Sequence, residues 1–190
     1  VTFLLGPSGV GKSTLLDLLM RLIEPSSGRI TVNDQDIKTF RLMDWRRCFS
    51  YVSQDAVLFN GTIRMNMLLA RPSATKAEIQ NACRLAGAER FIQTLPEGYD
   101  TLVGDRGQSL SGGQRKRIAI ARAIIANPSV LILDEATTSF EQSLEKDLMR
   151  ILRAEFPDLT VIQVTHRLES LDDSCWVLTM ADGKLAISGT

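Results

Sequence analysis

Val1-Thr2-Phe3-Leu4-Leu5-Gly6-Pro7-Ser8-Gly9-Val10-Gly11-Lys12-Ser13-Thr14 opens the chain, and its reading decides the fold class. Val1 to Leu5 is an apolar run of the length expected for a buried parallel strand. Gly6 to Ser13 then matches the phosphate-loop pattern of two glycines at fixed spacing followed by lysine and serine, and a helical stretch comes next. In this strand–loop–helix setting each residue type has a physical task. Gly6, Gly9 and Gly11, with Pro7, Ser8 and Val10 between them, let the backbone wrap a phosphate. Lys12 reaches toward the β- and γ-phosphates, the Ser13 hydroxyl can ligate Mg²⁺, and Thr14 is placed for the α-phosphate. The helix is expected to run through Ile23, because Leu15, Leu16, Leu18, Leu19, Met20, Leu22 and Ile23 make it apolar nearly all round, as a helix packed on a sheet is.

A second anion-binding start lies about a hundred residues on, at Leu110-Ser111-Gly112-Gly113-Gln114, before a helix expected over Gln114 to Ala126. A helix that begins in Ser-Gly-Gly presents free N–H groups and the positive end of its dipole, which suits a phosphate. The basic residues that follow, Arg115, Lys116 and Arg117, read as a solvated helix face, since a helix N-terminus gains nothing from cations.

Three further strand candidates each deliver polar residues at their C-terminal ends. Phe49 to Ser53 leads to Gln54, Val130 to Leu133 leads to Asp134-Glu135, and Thr160 to Val164 leads to Thr165-His166. Unpaired buried carboxylates are costly, so two adjacent acids at the end of an apolar strand call for a partner. A Mg²⁺ held by Asp134 and an attacking water facing Glu135 account for both. Gln54 sits where it can reach the metal or that water, and His166 follows its strand as the other polar groups follow theirs. The C-terminal ends of parallel strands form the ligand crevice of open α/β sheets.

Between these landmarks, Arg29 to Asn33 alternates as a half-buried strand does, and residues 61–98 read as helical. Ile63 to Leu69, a helix capped at Ser73 or Thr75 and ending at Gly87, and Ala88 to Leu95 are its pieces, with Glu78 completing a capping box on Thr75. Residues 96–107 form a polar, glycine-rich loop. Cys175 to Met180 and Leu185 to Ile187 read as a closing hairpin around Ala181-Asp182-Gly183.

The 190 residues suffice for one domain. With 22 basic and 22 acidic side chains there is no global field favouring nucleic acid, and no nucleic-acid partner is expected. Three isolated cysteines and one histidine indicate neither a zinc site nor a disulfide framework. The abrupt apolar start and the end just after a strand-like segment suggest a fragment trimmed at both ends.

Taken in order, these motifs resemble the nucleotide-binding domain of ATP-binding-cassette (ABC) transporters over essentially the whole chain. Gly6 to Ser13 looks like the Walker A loop, Gln54 the Q-loop glutamine, Leu110 to Gln114 the signature motif, Val130 to Glu135 the Walker B strand with its glutamate, and His166 the switch histidine. Phe59 to Arg64 and Leu95 to Gly107 look like the exporter-type subgroup, with Asp105 where exporters typically have glutamate. Phe140 and Glu141 replace the leucine and aspartate usual in the D-loop. The resemblance implies an α/β fold, a P-loop NTPase (RecA-like) parallel sheet over 1–54 and 129–190 with an α-helical subdomain inserted over 55–128.

It further implies ATP and Mg²⁺ as ligands, Ser13, Gln54 and Asp134 around the metal, and Glu135, His166, Gln54 and Lys12 in hydrolysis. Its implied partners are a second nucleotide-binding domain, joined head to tail as a homo- or heterodimer, and a transmembrane domain fused upstream, on the cytoplasmic face of a membrane. The rival readings are a soluble cassette ATPase acting on DNA or ribosomes, and a regulatory cassette that binds ATP without hydrolysing it.

Overall fold

The computed structural model describes residues 1–166 and 175–188. Strand β1 (Thr2–Leu5) runs into the glycine loop and helix α1 (Lys12–Leu19). A small hairpin follows, β2 (Thr31–Val32) and β3 (Gln35–Asp36), then α2 (Leu42–Arg47) and β4 (Phe49–Val52). The helical stretch contains α3 (Ile63–Ala70), α4 (Lys76–Leu85) and α5 (Glu89–Thr94), and leads to the long α6 (Gly112–Ile125). The chain then alternates through β5 (Val130–Asp134), α7 (Gln142–Glu155) and β6 (Thr160–Val164), and closes with β7 (Trp176–Ala181) and β8 (Lys184–Ser188).

The main sheet has the order β4-β5-β6-β1-β7-β8. All neighbouring pairs are parallel except β7 with β8, the hairpin expected from the sequence. The centre of this sheet is buried on both faces, and β5 shows how. Leu131 and Leu133 point into a core shared with α6 and α7, while Ile132 points the other way, into a smaller core with Leu16 and Met20 from α1 and its end. That is the period-two alternation of a strand, apolar on both sides because helices cover both. Helix α6 lies against β4 as well as against α3 and α4.

Three local expectations are corrected. Helix α1 ends at Leu19, four residues short of Ile23; Arg21 leaves helical geometry at φ 54°, and Leu22 and Ile23 are exposed. The turn is held from outside, since Arg21 Nη1 donates to the carbonyls of Ile37 and Phe40 while Arg46 Nη2 donates to that of Arg21. The half-buried strand expected over Arg29 to Asn33 shrinks to two exposed residues, because Asn33 and Asp34 both take positive φ and turn the chain back within two residues. Helices α2 and α7 were not anticipated. The first buries no residue, so it carries no periodic signal; α7 does carry one, with Leu144, Leu148, Met149, Ile151 and Leu152 at helical spacing.

Candidate phosphate and catalytic site

Strands β4, β5, β6 and β1 are consecutive in the sheet and parallel, so their C-terminal ends lie side by side along one edge. Those ends lead to Gln54, Asp134-Glu135, Thr165-His166 and the glycine loop. The expected site residues from four separate segments are thus gathered by the topology alone.

The glycine loop depends on close packing. Gly6 has φ 151°, and a Cβ there would stand 2.5 Å from the Met180 carbonyl oxygen on β7. Gly11, at φ 108° and ψ 14°, is the N-cap of α1 and offers no side-chain cap, so the first N–H groups of the helix stay open toward the loop. Lys12 Nζ donates to the carbonyls of Gly6 and Pro7 at 2.8 and 3.0 Å, curling over the loop it belongs to. Ser13 and Thr14 are exposed at the start of α1. An open helix start, a lysine over the loop and two free hydroxyls form an anion cradle.

Asp134 ends β5 and accepts a hydrogen bond from Tyr51 Oη on the neighbouring strand at 2.7 Å. Partial burial, then this bond, push the Tyr51 phenol well above its ordinary range, so it acts as a donor at neutral pH. Glu135 takes φ 50°, a left-handed conformation that costs a non-glycine residue about 1 kcal/mol or more. Its backbone is held on both sides: the N–H donates to the Val164 carbonyl at 3.1 Å, and its own carbonyl accepts from Thr138 Oγ1 at 2.8 Å and Lys116 Nζ at 3.4 Å. This places the Glu135 carboxylate 4.0 Å from Nδ1 of His166, a residue exposed to solvent. The following turn rests on a buried polar group in which Thr137 Oγ1 donates to Glu145 Oε1 at 2.5 Å and Gln163 Nε2 donates to both.

Oxygen donors from Ser13 and Asp134 fit Mg²⁺, which takes few protein ligands and completes its shell with water and phosphate. Gln54 is exposed beyond β4 and lines a cleft of about 610 Å³ with Asp105, Gly112, Lys116 and Ser139. The structure therefore puts it beyond the end of β4, facing the start of α6 and Ser139.

At that start, Ser111 is the N-cap of α6. Its Oγ accepts from Gln114 N–H at 3.2 Å while Gln114 Oε1 accepts from Ser111 N–H at 2.9 Å, a complete capping box. Helix α6 begins at Gly112 and ends at Ile125, close to the expected span. Its basic residues are not a solvated face. All three are half-buried: Arg115 Nη1 donates to the Leu110 carbonyl, Lys116 Nζ to Thr138 Oγ1, and Arg117 Nη1 to the Gly87 carbonyl. Sequence reasoning missed Lys116 and Tyr51 as parts of the site. Their partners lie on other elements, and no local pattern marks such pairs.

The chain matches the family model described as ABC transporter over residues 1–138. It is 42% identical over 187 residues to the ABC transporter ATM1 of Toxoplasma gondii, covering 98% of this chain and 16% of that protein. It is likewise 42% identical over 187 residues to the ATM1-type heavy metal exporter of Novosphingobium aromaticivorans, covering 98% of this chain and 31% of that protein. A solved bacterial Atm1-family ABC exporter with ATP bound superimposes with a TM-score of 0.93 at 41% identity, over 99% of this chain and 33% of that one. The chain thus spans less than a third of the length of these two relatives. With a parallel sheet, a glycine loop and a signature helix in the expected order, the fold is the nucleotide-binding fold that the sequence motifs imply, and the chain belongs to the ABC transporter family.

Proposed function

We propose that this chain binds and hydrolyses ATP as the nucleotide-binding domain of an exporter, in a head-to-tail pair with a second such domain, at the cytoplasmic face of a membrane. One observation carries the pairing. Gly112 and Gly113 sit in the first turn of α6, where glycine costs roughly 1 kcal/mol relative to alanine. Yet a Cβ at Gly113 would meet nothing within 4 Å, and one at Gly112 would meet only Arg115 Nη2, at 3.8 Å. Neither has a positive φ. The fold does not call for these glycines, whereas close approach by a ligand from outside the chain does.

In this reading ATP lies on the glycine loop with Lys12 released from its own carbonyls to the β- and γ-phosphates, and Ser111 and Gly113 of the partner cover the γ-phosphate. Ser13 and Asp134, with Gln54 alongside, would hold Mg²⁺, which would supply neutralisation of the phosphate charge. Glu135 orients and deprotonates the attacking water, and His166, close to that carboxylate, bonds the γ-phosphate. The closed interface excludes water and fixes the signature N–H groups before reaction, so the stabilisation needs no reorganisation. Residues 55–128 act as the helical subdomain on the core of 1–54 and 129–190, and pass the motion to a transmembrane domain. The exporters among the relatives support that last step.

The deciding experiment is Glu135→Gln in the intact protein. ATP binding persists, steady hydrolysis stops and a nucleotide-bound dimer accumulates in size-exclusion chromatography. Turnover at the wild-type rate overturns the assignment of the base.

A further inference from the structure

The turn that carries Glu135 is fastened to the signature helix of the same chain. Lys116 Nζ donates to Thr138 Oγ1 at 3.1 Å and, more weakly, to the Glu135 carbonyl at 3.4 Å. The Thr138 hydroxyl closes the triangle by donating to that carbonyl at 2.8 Å. Beside it, the Arg117 guanidinium lies 5.7 Å from the ring centre of Phe140, which is buried in the main core. Lys116 stands five residues after Ser111, on a continuous helix that begins at Gly112. The end of α6 that would meet a partner's γ-phosphate is therefore hydrogen-bonded, through Lys116, to the turn and backbone of Glu135.

We propose that Lys116 is a positioning residue: it links the signature end of α6 to Glu135 in cis, so that docking of Ser111 and Gly113 on a partner's ATP sets the carboxylate at this chain's own phosphate site. The inference rests on the reading of Glu135 as base and of Ser111 to Gly113 as the partner's cover. The physical basis is the left-handed backbone of Glu135. That conformation competes with ordinary ones lying about 1 kcal/mol or more below it, so it persists only while its bonds hold. Rotation of the peptide that swings the Glu135 carbonyl also re-aims its side chain. A charged donor on this carbonyl and on Thr138 resists that rotation, and a hydrogen bond from a charged group is the stronger kind. Because α6 moves as one body, a small shift of its first turn is delivered to Lys116 undiminished. Each site then fires in step with the other through one side chain.

The test uses the intact protein. Lys116→Met keeps the aliphatic stem and removes the ammonium. The expected result is a kcat about tenfold lower, with KM and the affinity for a fluorescent ATP analogue within about twofold of wild type. Lys116→Arg, which keeps a donor, restores most of the turnover. Thr138→Val removes the other end of the link and carries the same expectation, so the test stands even if the methionine variant fails to fold. In the double variant the loss is smaller than the product of the two, because each single variant already removes the Lys116–Thr138 bond, even though Thr138→Val also removes the hydroxyl's own bond to the Glu135 carbonyl. Wild-type kcat in Lys116→Met, multiplying losses, or a parallel fall in ATP affinity overturns the proposal. Wild-type turnover in Glu135→Gln identifies a different failure, that of the reading beneath it.

Discussion

Gly113→Ala separates the needs of the fold from the needs of a ligand. Within the chain the substitution is free of strain: Gly113 has helical geometry in α6, and its added methyl would meet nothing within 4 Å. Alanine in a helix is favoured over glycine by about 0.5–1 kcal/mol, chiefly by lowering the entropy of the unfolded chain. A domain of 190 residues has an unfolding entropy of roughly 0.4 kcal/mol/K at about 2.1 cal/mol/K per residue. The unfolding midpoint of this domain should therefore rise by about 1–3 °C. If the first turn of α6 closes on a partner's phosphate, the same methyl stands where the phosphate must approach the backbone. ATP turnover should then fall about tenfold or more, which is about 1.4 kcal/mol of lost transition-state stabilisation. Scanning calorimetry and a steady-state ATPase assay on the same preparation read both. A stabilised variant with undiminished turnover refutes the idea that the glycine is kept for a ligand. A lowered midpoint shows instead that the space beside it is not open.

Gly6→Ala is expected to do the reverse, since a Cβ would stand 2.5 Å from the Met180 carbonyl on a residue already at φ 151°; urea unfolding should show a loss of about 2–3 kcal/mol. His166→Ala should lower turnover at least about tenfold while leaving the unfolding midpoint unchanged, because the side chain is exposed. Alkaline pH should destabilise the domain. Burial pushes the Cys83 thiol up from its ordinary 9.0 to about 12, and it pushes the Tyr51 and Tyr99 phenols up as well. Such groups hold protons more tightly folded than unfolded, so their contribution is complete below about pH 9 and is lost as pH rises through the folded values. Urea titrations at pH 8 and pH 10.5 should show the later midpoint at pH 8. Iodoacetamide at pH 8 should label half-buried Cys48 well before Cys83.

Much of this was legible in the sequence because it is local or ordered along the chain. The phosphate loop is a contiguous pattern, the capping box at Thr75 is a three-residue spacing, and the apolar runs of β1, β5 and β6 end directly in their polar groups. What was lost is long-range or compensated. The end of α1 depends on Arg21 being caught by the Ile37 and Phe40 carbonyls, which nothing within α1 announces. Helix α7, by contrast, is marked by a local stripe from Leu144 to Leu152. Tyr51 looks like an ordinary strand residue until β4 is paired with β5 and its hydroxyl meets Asp134.

The basic run after the signature is the most instructive misreading. Cations at a helix N-terminus oppose its dipole, so solvent exposure was the natural expectation. The structure resolves the conflict differently, by giving each cation a carbonyl or hydroxyl to donate to: Arg115 reaches back to Leu110 just before the helix, while Lys116 and Arg117 reach neighbouring segments. Their cost to α6 is offset by what they hold: the loop before it, the Glu135 turn, and the bend at Gly87. Phe140 belongs to the same arrangement. Where the family usually has leucine in the D-loop, this chain buries a ring against the core and beneath Arg117. Glu141, in place of aspartate, stands at the start of α7, where a negative charge suits the helix dipole. Phe140 is therefore accommodated by contacts inside the chain, and exposed Glu141 by the helix start at which it stands.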